Sequence, residues 1–173
     1  MVDSATIEAA IWYTIENMTD FILSSPAFNE GETIPAKYTC DGENINPPLY
    51  IEGVPPEARS LALIVEDPDV PKAVRDSQMF DHWLLFNISP TVTEIPEGEN
   101  LGILGANTAG NAAYTGPCPP PQFEPKEHRY VFQLYALDQE LDVREGAGKE
   151  VIKTAMKGHI IAKAELVGKY SRG

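Results

Sequence analysis

Residues 60–71 read SLALIVEDPDVP, and this stretch carries the clearest indication of the fold. The part SLALIVE is almost entirely apolar and is typical of a strand buried on both faces of a sheet. It leads directly into Asp67, Pro68 and Asp69, residues that are common in turns. We therefore expect a central strand whose end carries two carboxylates.

Two further apolar runs and a closing segment extend this pattern. Residues 82–88 read HWLLFNI, and residues 129–137 read RYVFQLYAL with alternating side chains. Residues 159–167 alternate enough for a last strand, while residues 148–157 have helical periodicity and precede a glycine that suits a helix end. Several short strands, few helices and no strand–helix–strand rhythm favour a mainly β fold, a two-sheet antiparallel β-sandwich with Greek-key connections.

The N-terminal part differs from the rest, so we divide the chain into a helical extension at residues 1–20 and a β domain at residues 21–173. Within the extension, Ile7, Ile11 and Ile15 recur at helical spacing and predict an amphipathic helix over about residues 5–17. Such a short helix is marginal in water by itself. It could dock on its own sandwich or on a second copy in a homodimer, or the native chain could start later, and these alternatives stay open.

The charge of the chain limits its partners. Lys and Arg number 13 and Asp and Glu number 26, which gives a net charge of −13. Such a surface repels nucleic acids and anionic membranes, and no basic cluster compensates for it. We find neither an apolar run of membrane-spanning length nor the features of a signal peptide. We therefore expect a cytoplasmic protein that binds no nucleic acid and is not integral to a membrane.

Four short motifs could carry chemistry, and three of them lie at ends of predicted strands. Each has an ordinary interpretation by itself: a turn, a partly buried histidine or a rigid proline-rich spacer. Zinc-ligand spacing, a phosphate-binding loop and a nucleophile elbow are all absent, so we expect no metal and no cofactor. The motifs are Asp67-Pro-Asp-Val-Pro71, Phe80-Asp-His82, Tyr114-Thr-Gly-Pro-Cys-Pro-Pro-Pro121 and His128-Arg-Tyr130.

In order and character these four motifs resemble the phosphatidylethanolamine-binding protein family. Its prokaryotic Raf-kinase-inhibitor-like branch is indicated by Cys-Asp-Gly at residues 40–42, Asn-Pro-Pro-Leu at residues 46–49 and Met-Lys-Gly-His at residues 156–159. The resemblance covers about residues 21–172. One departure is Val70, which stands where the family more commonly has alanine.

The resemblance implies a two-sheet β fold with a small anion pocket at one end. Histidine has a pKa near neutrality, so one or both pocket histidines could donate to a phosphate oxygen, and affinity would weaken as pH rises from about 6 to 8. We expect the aspartates to orient the imidazoles or to accept from an ammonium group. The residues that the resemblance assigns to this pocket are Asp67, Asp69, Pro71, His82, Tyr114, Pro117, His128 and Tyr130.

The function that the resemblance implies is non-enzymatic binding of a small phosphate-bearing ligand or lipid head-group, with regulation of a partner kinase or protease. One alternative is a serine protease inhibitor that uses an exposed loop such as residues 89–103. Another is an enzyme in which Asp67, Asp69, His82 and His128 bind a metal or act as acid and base. Against the enzyme, the sequence contains no evident series of nucleophile, base and orienting residue.

The two cysteines, Cys40 and Cys118, each lie beside a pocket motif. If the two loops meet, the thiols are close enough to form a disulfide. A cytosolic setting favours the reduced form. The sequence leaves both states open.

Overall fold

The computed structural model describes residues 20–173. The helix expected over residues 5–17 lies outside these residues. Within residues 20–173 the regular structure consists of eight strands, one α-helix and a 3-10 turn at Ala36–Tyr38. The strands and the helix are β1 Ile22–Ser24, β2 Leu49–Glu52, β3 Ser60–Asp67, β4 Phe80–Ile88, β5 Glu94–Ile95, β6 Ile103–Leu104, β7 Glu127–Leu137, α1 Lys149–Met156 and β8 Ile160–Ser171.

The strands form two sheets. The smaller sheet has the order β1-β2-β5 and the larger one the order β6-β4-β3-β7-β8. All pairs between these strands are antiparallel. The expected mainly β fold with two antiparallel sheets is therefore confirmed, whereas the Greek-key connection stays a prediction.

Strand β3 lies at the centre of the larger sheet, as its apolar sequence predicts. Residues 61–65 are each exposed by no more than 1%. One face of the larger sheet packs against the smaller sheet, where Leu63 and Phe132 join Leu23 and Ile51 in one core. The side chains on both faces of β3 are therefore removed from water, which explains why this strand has no polar alternation.

The other face of the larger sheet is covered by α1. Ile152 and Met156 of the helix pack with Leu84 and Phe86 of β4 in a second core. Gly158 follows the helix with φ +84°, a conformation that glycine adopts without steric cost. The predicted helix and its glycine stop are both confirmed.

The antiparallel pairing brings three strand ends to one edge of the larger sheet. Asp67, at the end of β3, pairs with Phe80 at the start of β4. Glu66 pairs with Val131, so β7 also begins beside the end of β3. The motifs at these three ends are thus neighbours in space.

No helix of residues 20–173 is long and apolar enough to cross a bilayer.

Candidate functional site

A cavity of about 190 Å³ opens at this edge of the larger sheet. Asp67, His82 and His128 supply its polar side chains, one from each of the three strand ends. Pockets that enclose drug-sized molecules are roughly 300–1,000 Å³. This cavity therefore suits a small ion or a single head-group rather than a larger molecule.

The walls around these polar groups are mostly apolar. Val70, Val74 and Phe80 line one side, and Val74 is 52% exposed at the surface. The loop at residues 115–120 lines the other side with Thr115, Gly116, Cys118, Pro119 and Pro120. Apolar walls lower the local dielectric and strengthen any hydrogen bond formed inside the cavity.

Asp67 and His128 form a buried pair. His128 Nδ1 lies 2.6 Å from Asp67 Oδ2, and the two side chains are 1% and 5% exposed. The other carboxylate oxygen, Oδ1, accepts from the Asp69 amide at 2.8 Å. Burial raises the pKa of the Asp67 carboxyl, and the hydrogen bond with His128 opposes that rise.

The second ring nitrogen of His128 is buried and has no hydrogen-bond partner among the described residues. When the Asp67–His128 pair holds two hydrogens, one lies between Nδ1 and Oδ2 and the other lies on Nε2. In that state Nε2–H is a hydrogen-bond donor, and His128 is one of the residues that line the cavity. An unpaired buried donor is costly, so this nitrogen is the strongest indication of a ligand site.

His82 is oriented differently. Its Nδ1 lies 2.6 Å from the Thr115 carbonyl oxygen, which can only accept, so Nδ1 carries the hydrogen. The Thr115 amide in turn donates to the His82 carbonyl at 2.9 Å. Burial lowers the pKa of His82 to about 4, which keeps the ring neutral at neutral pH. One or both histidines were expected to donate to an anion; a neutral His82 with its hydrogen on Nδ1 offers an acceptor, which leaves His128 as the donor of the two.

Asp69 and Pro71 do not line the cavity, although the resemblance assigns them to it. Asp69 forms a bidentate ion pair with Arg129, with Nη2–Oδ1 at 2.7 Å and Nε–Oδ2 at 2.8 Å. The guanidinium lowers the pKa of the Asp69 carboxyl. Pro71 is buried, and its carbonyl accepts from the amides of Val74 and Arg75. Both residues shape the loop beside the cavity and stay outside its lining.

Tyr114 and Pro117 connect the cavity loop to the segment at residues 38–44. The Tyr114 hydroxyl donates to the Tyr38 carbonyl at 2.7 Å, and the Pro117 carbonyl accepts from the Cys40 amide at 3.1 Å. Neither residue lines the cavity. They hold the loop in place from behind.

Tyr130 also lies behind the cavity. Its ring packs edge-on against His82, with the ring centroids 5.1 Å apart. Its hydroxyl is buried, and burial raises its pKa. Tyr130 therefore supports the orientation of His82.

The disulfide left open by the sequence is present. Cys40 and Cys118 are bonded; their Cα atoms are 5.4 Å apart, and the two residues are 78 positions apart in the chain. Both residues are exposed, and Cys118 lines the cavity. The bond thus joins the cavity loop covalently to the segment that supports it.

Asn107 is an organising residue that the sequence interpretation did not include. It is 4% exposed, and its Nδ2 donates to the Ala113 carbonyl and to Thr115 Oγ1. Its Oδ1 accepts from the amides of Ala109 and Asn111. Asn107 thereby positions the residue that accepts from His82, and a lone asparagine in a glycine-rich loop carries no sequence signal for such a role.

Metal ligands are not grouped here. Within residues 20–173, no cluster of three or more His, Cys, Asp or Glu side chains is arranged to hold a metal ion.

Comparisons with known proteins identify relatives of this chain. A family model described as phosphatidylethanolamine-binding protein matches residues 24–171. A UPF0098 protein from Chlamydia trachomatis is 50% identical over 151 residues, which cover 87% of this chain and 98% of that relative. A UPF0098 protein from Methanothermobacter thermautotrophicus is 48% identical over 158 residues, with 87% and 99% covered.

Two solved structures are similar as well. A putative phosphatidylethanolamine-binding protein homologue from Chlamydia trachomatis has a TM-score of 0.84 at 49% identity, covering 88% of this chain and 98% of its own. Escherichia coli YbcL, described as a new member of the mammalian family, has a TM-score of 0.78 at 28% identity, with 90% and 100% covered.

Proposed function

Because the chain belongs to the phosphatidylethanolamine-binding protein family, we propose that its cavity binds a small phosphate-bearing ligand without catalysing a reaction. The observation that carries this proposal is the buried, unpartnered Nε2 of His128 in a residue that lines the cavity. A phosphate oxygen would accept from this nitrogen when the Asp67–His128 pair holds two hydrogens. The pair is then neutral overall, so a single negative charge enters without direct repulsion from the carboxylate.

The absence of catalysis is part of the proposal and has its own support. Among residues 20–173, Thr115 supplies the only hydroxyl side chain of the lining and Cys118 the only sulfur. Thr115 Oγ1 is hydrogen-bonded to Asn107, and the Cys118 sulfur is part of the disulfide. Neither is hydrogen-bonded to His82 or His128 through its side chain, the arrangement that activates a nucleophile.

Regulation of a partner kinase or protease also belongs to the proposal, because the family resemblance implies it. For a protease inhibitor, the relevant segment is residues 89–103. Its residues 94–95 pair with β2, and the Asn100 side chain accepts from Trp83 Nε1 at 2.9 Å. These contacts hold the segment against the rest of the domain. None of them is specific to a protease-inhibitor loop.

Localisation in the cytoplasm is likewise a proposal. Disulfides are rare in the cytosol of most organisms, since thiol reductants keep cysteines reduced there. The Cys40–Cys118 bond is therefore expected to persist only if the compartment or the protein resists such reduction.

The test of ligand binding is a titration with inorganic phosphate, followed by calorimetry. In the His128→Asn variant, the amide Nδ2 replaces the hydrogen bond to Asp67 and no group replaces Nε2. We expect phosphate affinity to fall by about tenfold or more, in line with the loss of a hydrogen bond to a charged group. Full binding by this variant would contradict the proposed site.

The matched control is His159→Asn. His159 Nδ1 also contacts an aspartate, Asp138, at 2.9 Å, but this pair is exposed and remote from the lining residues. We expect this variant to bind phosphate as the unaltered protein does. Circular dichroism checks that both variants are folded.

A further inference from the structure

We propose that the cavity selects phosphate groups that still carry a hydrogen, the monoanions of phosphomonoesters, over phosphodiesters of the same charge. This inference rests on the proposed function, since it concerns the ligand of the same cavity. The feature that carries it is the arrangement of donors and acceptors around His82 and His128.

His82 presents an acceptor. Its Nδ1–H is committed to the Thr115 carbonyl at 2.6 Å, so Nε2 is the only ring nitrogen that it can offer to a ligand. A ring with its hydrogen on Nδ1 has a lone pair on Nε2. A hydrogen on Nε2 as well would make the imidazole of His82 positively charged, and His82 is only 5% exposed.

Other parts of the lining do not compensate for this lone pair. The Thr115 amide donates to the His82 carbonyl, and the Gly116 amide donates to Asn44 Oδ1 at 2.7 Å. Pro119 and Pro120 have no N–H group. The Thr115 hydroxyl and the Cys118 amide also belong to the lining, but neither they nor any other described residue donates to His82 Nε2. A ligand that pairs with this nitrogen must therefore supply the hydrogen itself.

A phosphomonoester monoanion satisfies both histidines at once. Its P–OH would donate to His82 Nε2, and one of its charged oxygens would accept from His128 Nε2–H. A phosphodiester monoanion has the same charge but no P–OH, so an oxygen lone pair would face the His82 lone pair. Inorganic phosphate and a phosphorylated metabolite both meet the requirement, whereas a phospholipid head-group linked through a diester does not meet it through its phosphate.

The experiment compares methyl phosphate with dimethyl phosphate at about pH 5.5, where a monoester with a second pKa of about 6 is mainly the monoanion. Ethyl phosphate controls for the additional carbon. We expect methyl and ethyl phosphate to bind at least about tenfold more tightly than dimethyl phosphate, because the diester sets an oxygen lone pair against the His82 acceptor and forms no hydrogen bond with it. Equal binding of the two methyl esters would overturn the selectivity and leave the anion site intact.

The His82→Gln variant tests the atom responsible. The glutamine amide offers N–H donors where the imidazole offers only a lone pair, so we expect the ratio between methyl and dimethyl phosphate to fall below about threefold. His159→Gln is the matched control and should keep the full ratio. An unchanged ratio in His82→Gln would overturn the assignment to His82.

Two further arms separate the remaining outcomes. Glycerophosphoethanolamine is a diester that carries an ammonium, and we expect it to bind as weakly as dimethyl phosphate. Tight binding would show that an ammonium supplies the hydrogen and would overturn the requirement for P–OH. If no phosphate compound binds at all, the proposed function fails. The premise is then judged by the ¹⁵N shifts of His82, which should show hydrogen on Nδ1 only; hydrogen on Nε2 would overturn it.

Discussion

Removal of the Cys40–Cys118 disulfide should lower the stability of the protein strongly while leaving its fold intact. The perturbation is the double variant Cys40→Ser/Cys118→Ser. The bond closes a loop of 78 positions. In the chain-entropy model, opening a loop of this length costs about 4.5 kcal/mol of stability at 25 °C, because the unfolded chain regains its freedom.

The folded state should persist because other contacts hold the same two segments together. The Tyr114 hydroxyl, the Gly116 amide and the Cys40 amide each make one hydrogen bond between the cavity loop and residues 38–44. Such bonds contribute roughly 1 kcal/mol each. The disulfide therefore supplies the larger part of the connection, and the hydrogen bonds preserve its geometry.

Urea unfolding under non-reducing conditions measures the effect, with the melting temperature as a second readout. A loss of 4.5 kcal/mol corresponds to a decrease of roughly 9–18 °C for a domain of this size. A reductant should lower the stability of the unaltered protein and leave the double variant unaffected. A double variant that loses less than about 1 kcal/mol would refute the reasoning that the bond acts on the unfolded chain.

Three other perturbations test the packing around the cavity. Lys149→Met should cost about 3 kcal/mol in urea unfolding. Lys149 Nζ lies 2.9 Å from Glu66 Oε2 and 2.5 Å from Asp81 Oδ1, so its loss leaves the half-buried Asp81 without a counter-ion and Glu66 with only the hydrogen bond from Gln133 Nε2. The free energy of unfolding should fall by roughly 3 kcal/mol as pH decreases from about 7 to about 4. His82 has a pKa of about 4 in the folded protein and 6.5 in the unfolded chain, so the unfolded chain binds the additional proton in this range. His82→Gln should remove this part of the pH dependence. Gly116→Ala should lower the free energy of unfolding by about 1–3 kcal/mol and weaken phosphate binding, because a Cβ there would collide with the backbone of Tyr38 and Thr39. A melting temperature equal to that of the unaltered protein would contradict this contact.

The strands near the cavity were predictable from local sequence. The apolar run at residues 60–66 is the observed β3 with one additional residue, and residues 129–137 lie within β7. Long apolar runs with no competing periodicity have few alternatives to a buried strand. The positions of the polar motifs at strand ends followed from the same boundaries.

The difference between Asp67 and Asp69 could not be read from the sequence. Both carboxylates lie in one turn motif, and both were expected in the pocket. The pairing partners separate them: His128 and Arg129 are adjacent in β7, so their side chains point to opposite faces of the strand. His128 is buried and contacts Asp67, while Arg129 is exposed and contacts Asp69.

By itself, the sequence determined the long strands β3, β4, β7 and β8 and the helix α1, because side-chain periodicity and turn residues act over a few positions. The two-residue strands β5 and β6 lie in a stretch that it predicted as a loop. The sequence also determined the set of polar groups available at the strand ends. Only the tertiary structure decided that His82 offers an acceptor and His128 a donor, because the Thr115 carbonyl and the Asp67 carboxylate that orient them lie 33 and 61 positions away. It likewise decided the disulfide, since two cysteines separated by 78 positions meet only when the cavity loop folds onto residues 38–44.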